Sequence, residues 1–180
     1  MRSAGRRARP SPLQVYTDPF QHAAIAAAVA APLIPRGGRR VLVTAVAAAL
    51  AIDVDHAVAA RSVRIRATTA LATRPRSHSL LTALGTGTAV AAAAGPLHGW
   101  AAFGGLVSHL MHDAGDRAAP TPLLWPFAPA RQLGRRWQLA ATTALVLGSL
   151  AVSANANRRA DRHAMGESHD RGVANPDATV

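Results

Sequence analysis

The sequence predicts an all-α protein, a polytopic transmembrane bundle of about four to five short helices, and three observations carry that expectation. Charged residues make up 16% of the chain, against roughly 25% in a soluble domain. Five apolar runs hold no Lys, Arg or Glu in their interiors, whereas a soluble bundle keeps a charged outer face on each helix. Small residues recur within the runs, among them Gly85, Gly87, Gly104 and Gly105, and such residues let helix backbones approach closely in lipid.

Residues 1–19 carry Arg2, Arg6, Arg7 and Arg9 with prolines and no apolar periodicity, the pattern of a disordered basic arm. The first run, residues 22–34, has the length of a signal-peptide core. A second apolar run follows almost at once, which favours a retained helix. That second run, residues 41–52, ends at Asp53, Asp55 and His56. Both are shorter than the roughly 20 residues that cross a bilayer comfortably, so they are expected to be tilted, re-entrant or packed against the others. The third and fourth runs, residues 79–95 and 97–111, are parted at Gly95 and Pro96, where a straight helix cannot continue cheaply. Residues 139–154 form the fifth. The membrane-embedded domain is thus expected over residues 20–154, and residues 155–180 read as a disordered polar tail.

Cysteine is absent, so any metal must be held by nitrogen and oxygen. The net charge of +11 raises nucleic acid as a partner. Every basic residue is Arg, however, and the arginines are scattered between apolar runs without interleaved aromatics, which argues against it. The expected partners are the lipid bilayer and a small or lipid-like substrate.

If the runs alternate across the membrane, His22 at the start of the first, Asp53, Asp55 and His56 at the end of the second, His78 before the third and His109, His112 and Asp113 at the end of the fourth all reach one face. Ionisable groups at membrane depth are costly and tend to be paired or functional. The distribution of Arg suggests that this face is cytoplasmic in a multi-pass cell-membrane protein, although Arg36, Arg39 and Arg40 on the other side oppose that orientation.

Asp53 and His56 lie three apart and His109 and Asp113 four apart, spacings that share a helix face and with which helix bundles build metal sites. Imidazole and carboxylate without thiolate suit zinc, manganese or iron, and hydrolysis is the chemistry that such a centre naturally supports. His112 reads as the surface partner of Asp116, and His98 as an interface residue at the opposite helix end. Trp100, Trp125 and Trp137 read as interfacial anchors. Ser79 and Ser108 neighbour histidines but show no nucleophile-elbow pattern.

Taken in order, His22, the block Asp53-Val54-Asp55-His56, the block Ser77-His78-Ser79-Leu80-Leu81, the Ser108-His109 and Asp113 block, and Leu123-Leu124-Trp125-Pro126-Phe127 resemble the YdjM-like family of membrane-bound metal-dependent hydrolases. The resemblance covers about residues 20 to 130. It departs at Thr73, where the family carries His, and at Ile52, where the family carries Pro. It implies a divalent metal, zinc foremost and manganese or iron as alternatives, held by Asp53, Asp55, His56, His78, His109 and Asp113. His22 would be a further ligand or proton shuttle, and Arg74 or Arg76 would orient an anionic group. The implied activity is hydrolysis at the membrane surface, on a phosphoester or lipid-derived substrate. The alternative is a non-catalytic membrane protein whose polar cluster is structural, which the Thr73 departure favours. A transporter is less well supported, because the acids sit at helix ends.

Overall fold

A computed structural model describes residues 12–115 and 119–173. Helices dominate these segments: α1 (Pro12–Ala30), continued by a 3-10 turn at Ala31–Leu33, then α2 (Ile34–Gly37), α3 (Arg40–Ala51), α4 (Val54–Ala60), α5 (Ile65–Thr68), α6 (Leu80–Ala94), α7 (Pro96–Gly115) and α8 (Arg135–Val173), with loops over residues 69–79 and 119–134. Among the described residues the only β contact is an isolated antiparallel bridge between Thr121 and Arg131.

Helix α7 is the axis of the bundle and packs against α6, α3, α1 and α8. Small side chains make that possible. A Cβ at Gly105 would overlap the Ala45 carbonyl of α3, so only glycine admits the backbone approach seen there. Two apolar clusters follow from the same contacts. One joins Ala30, Val41, Ala45 and Ala101, and the other Ile52, Ala83, Leu106 and Leu110. At the far end of the bundle, Thr44 Oγ1 and His98 Nδ1 lie 2.7 Å apart and tie α3 to α7.

Local chemistry sets the joints. The Ser79 side chain accepts a hydrogen bond from the Thr82 amide at 3.2 Å and caps α6. Gly95 ends that helix at φ +94°, and Pro96 opens α7, where its missing amide hydrogen costs nothing. Between α3 and α4 the ladder tightens: the amides of Asp53, Asp55 and His56 donate to carbonyls three residues back, at 3.3, 3.2 and 3.1 Å. This short overwound stretch turns Asp53, Asp55 and His56 towards the same end of the bundle as the C-terminal end of α7.

Among the described residues two segments are long and apolar enough to cross a membrane, Arg40–Ala60 through α3 and α4, and Arg135–Asn155 in α8. The apolar window of α8 is unburied within the bundle, and Val43, Val54, Leu84 and Leu147 are also exposed. Contiguous apolar surface on this scale is costly in water and costs nothing against lipid. Helix α1 starts at Pro12, inside the stretch whose composition suggests a disordered arm, and α8 runs to Val173, through most of the expected polar tail. Ala and Arg are strong helix formers, and the packing of α1 on α3 and α7 supplies what local pattern lacks.

Candidate metal centre

Four helix ends converge as the sequence suggests. Asp113 and His109, one turn apart on α7, face Asp53 from the α3–α4 joint and His78 from the loop that enters α6. Asp113 Oδ2 lies 3.0 Å from His109 Nε2 and 3.4 Å from His78 Nε2. Asp53 Oδ1 lies 3.4 Å from His109 Nε2 and 3.7 Å from His78 Nε2. A tetrahedral ion with bonds of about 2.0–2.1 Å separates its ligand atoms by about 3.4 Å, which these four distances bracket. His78, His109 and Asp113 are at most 1% exposed, whereas the Asp53 side chain is 40% exposed and forms the open corner.

Close approach does not satisfy these atoms. Among the described residues His78 Nε2, both His109 ring nitrogens and both Asp113 oxygens lack a hydrogen-bond partner of acceptable geometry. Buried polar groups in folded proteins are nearly all hydrogen-bonded. Lone pairs that instead point at one another around a common centre fit a cation, and this donor set could hold a metal ion.

The remaining polar residues support that quartet. His78 Nδ1 lies 3.0 Å from Asp55 Oδ2, and because a carboxylate only accepts, the imidazole donates there and leaves Nε2 for a ligand. The Ser77 hydroxyl donates to the same Asp55 oxygen. Asp55 Oδ1 is 3.1 Å from His56 Nδ1, which also lies 3.5 Å from Asp53 Oδ1. Burial alone would push the His78 imidazole down. The neighbouring Asp53, Asp55 and Asp113 carboxylates outweigh it and raise His78 above its ordinary value, so a cation at this site would compete with a proton.

Arg74 reaches Asp113 Oδ2 at 2.9 Å and balances a carboxylate whose burial would otherwise be prohibitive. Arg76 goes elsewhere, with its guanidinium 5.8 Å from the centre of the Trp125 ring. The loop carrying Arg74 is pinned to the segment after α7 by hydrogen bonds from the Arg74 amide to the Pro120 carbonyl, 3.1 Å, and from the Leu80 amide to the Leu123 carbonyl, 2.9 Å.

His22 from α1 is 1% exposed and stacks on His109, with ring centroids 3.8 Å apart. Sequence reasoning missed Asp18 and its approach to His112. Asp18 Oδ1 lies 3.4 Å from His112 Nε2, and Asp18 Oδ2 lies 3.7 Å from His22 Nε2. The expected His112 partner, Asp116, lies outside the described residues. Burial pushes the Asp18 carboxyl up, but hydrogen bonding to His112 and His22 prevails and holds it below the usual carboxylate range. The four-residue spacing of Asp18 and His22 was the signal that could have found this contact.

A family model described as YdjM inner membrane protein matches residues 18–173. Neither the curated proteins nor the solved structures contain a match to the chain.

Proposed function

Since the chain belongs to the family of YdjM inner membrane proteins, and is thus a membrane protein, we propose that it is a metal-dependent hydrolase working at the membrane surface on a phosphoester or lipid-derived substrate. The observation that carries this reading is the convergence of Asp53 Oδ1, His78 Nε2, His109 Nε2 and Asp113 Oδ2, buried for the most part and without hydrogen-bond partners among the described residues for the His78, His109 and Asp113 atoms. A divalent cation, zinc foremost and manganese or iron as alternatives, supplies Lewis acidity when bound, polarising an ester oxygen and making water more acidic.

The chain's own residues do the rest. Asp55 fixes the ring orientation of His78, with Ser77 and His56 steadying Asp55. Arg74 contributes positive charge beside the substrate's anionic group, since a guanidinium matches phosphate geometry, and it holds Asp113 in place. His22, stacked on His109, serves as a further ligand or as the proton carrier. Asp53, the most exposed member of the quartet, faces the approaching substrate. An apolar cleft lined by Leu80, Leu84, Leu123, Leu124 and Phe127 begins two residues after His78 and suits an acyl chain, which favours a lipid-derived substrate. The Arg distribution favours a cytoplasmic site in a multi-pass protein, with Arg36, Arg39 and Arg40 on the other side weighing against that orientation.

A structural, non-catalytic role draws its support from Arg74, which neutralises Asp113 without a metal. Elemental analysis of detergent-purified full chain distinguishes the two readings, run beside a His109→Ala, Asp113→Ala double variant with helicity monitored. The hydrolase reading expects near-stoichiometric metal that is lost in the folded variant, together with phosphoesterase turnover that is lost with it. A wild-type chain that neither retains metal nor regains it on addition overturns the reading.

A further inference from the structure

We propose that the chain holds a second divalent cation beside the first, bound by Asp18, His22 and His112, with Asp113 bridging the two positions. This rests on the hydrolase reading for the first cation and extends it to a two-metal centre.

The ligand geometry repeats at the α1 side of the cluster. Asp18 presents Oδ2 at 3.7 Å to His22 Nε2 and Oδ1 at 3.4 Å to His112 Nε2, and the two imidazoles meet edge to face with centroids 4.7 Å apart. One ligand atom from each of the three residues falls within 4.8 Å of the others. A fourth donor comes from the first site: Asp113 turns Oδ1 to within 3.6 Å of His22 Nε2 while Oδ2 faces His78 and His109. A carboxylate whose two oxygens address two separate imidazole sets is placed as a bridge, the arrangement that holds two ions about 3.5–4 Å apart in hydrolytic centres.

An independent observation points to a ligand. Asp113 is 1% exposed, yet its Oδ1, turned towards His22 Nε2 at 3.6 Å, has no hydrogen-bond partner among the described residues. Deep burial of groups left unsatisfied is expensive, and a shared cation relieves it on the Asp113 side. The His22 ring lies flat on His109 at 3.8 Å, so the two donor sets are in direct contact. Asp18, 48% exposed, gives the second position its own opening to solvent, as Asp53 does for the first. The sequence supplies the pairing from two helices: Asp18 and His22 one turn apart on α1, His112 beside Asp113 on α7.

The test is metal counting on the full detergent-purified chain after loading with manganese or zinc alone. The variants are Asp18→Asn, His112→Ala and His78→Ala, and circular dichroism checks their folding. Asp18→Asn is nearly isosteric at a half-exposed position, so it keeps the test decisive if His112→Ala folds poorly. The expected result is about two ions per wild-type chain. Asp18→Asn and His112→Ala should each fall to about one, and His78→Ala should retain the ion that the other two lose. A wild-type count of one, lost in His78→Ala and unchanged in Asp18→Asn and His112→Ala, overturns the second site and leaves the hydrolase reading standing. One ion lost in Asp18→Asn but kept in His78→Ala supports the second site and overturns the first. Loss of all metal in every folded variant means one shared position and overturns the two-site arrangement.

Discussion

Helix α7 spans 20 residues and α8 spans 39, yet almost everything that distinguishes the protein is carried by the shorter one. Gly99, Ala101, Ala102, Gly105, Ser108, His109 and Asp113 of α7 are buried, whereas the apolar window of α8 has none of its residues buried in the bundle. In water that contrast would be perverse, with the apolar helix outside and the ionisable one inside. In a bilayer it is the economical arrangement, because lipid solvates Leu and Val as well as protein does while His and Asp need each other or a cation. The outer helix reports the solvent and the inner one reports the function.

Substitutions can break or sharpen that contrast. The largest effect is expected where α7 touches α3: Gly105→Val drives a side chain into the Ala45 backbone and should cost about 1–3 kcal/mol or more. Gly148→Val on α8 meets nothing within 4 Å and should leave thermal unfolding in detergent unchanged. Equal losses at the two glycines would show that α8 is packed against something on that face.

An intermediate effect belongs to a residue that holds a ligand without being the most buried of them. Asp55→Asn weakens the support of His78 and should lower metal affinity about 10–100-fold, read by competition with a chelator. Because hydrogen bonding to Asp55 is among the forces raising the His78 imidazole, its titration in the metal-free variant should move down towards the ordinary histidine range, as followed by ring resonances. An upward shift would contradict the tautomer assigned to His78.

The smallest effect is expected on the lipid face. Leu147→Ala, at a 60% exposed position of α8, should change neither metal content nor the unfolding midpoint measurably. A clear loss would reveal a partner helix on that face.

The inner region was largely legible because helical spacing is a local property. Asp53 with His56 and His109 with Asp113 lie three and four apart, and alternation of the runs brings them to one end. What spacing could not supply was any pairing made between helices. His112 has Asp116 four residues on, which hides the fact that its partner, Asp18, comes from α1. Asp18 was obscured in turn because Pro12, Pro19 and the flanking arginines make its surroundings look unstructured. Helix α1 tolerates Pro19 internally through contacts with α3 and α7 that no local pattern records. The division between Asp53, open to the quartet's centre, and Asp55, turned to the far side of the His78 ring, depends on the overwound joint between α3 and α4, which one-dimensional spacing cannot resolve.

The burial of polar groups on α7 also bears on how the protein is made. Although 20 residues long, α7 is not among the segments apolar enough to cross a membrane unaided, whereas residues 40–60 and 135–155 are. A lone helix bearing His109 and Asp113 would enter hydrocarbon at a cost of about 2.5–3.5 kcal/mol for an Asp at its centre, less near the interface. Were α7 to enter the bilayer, its stable residence there would depend on α3 and α6 being there to receive it, and the donor set would be assembled in that same step. A chain lacking the α3–α4 span would then lose the placement of α7 and the His/Asp cluster together.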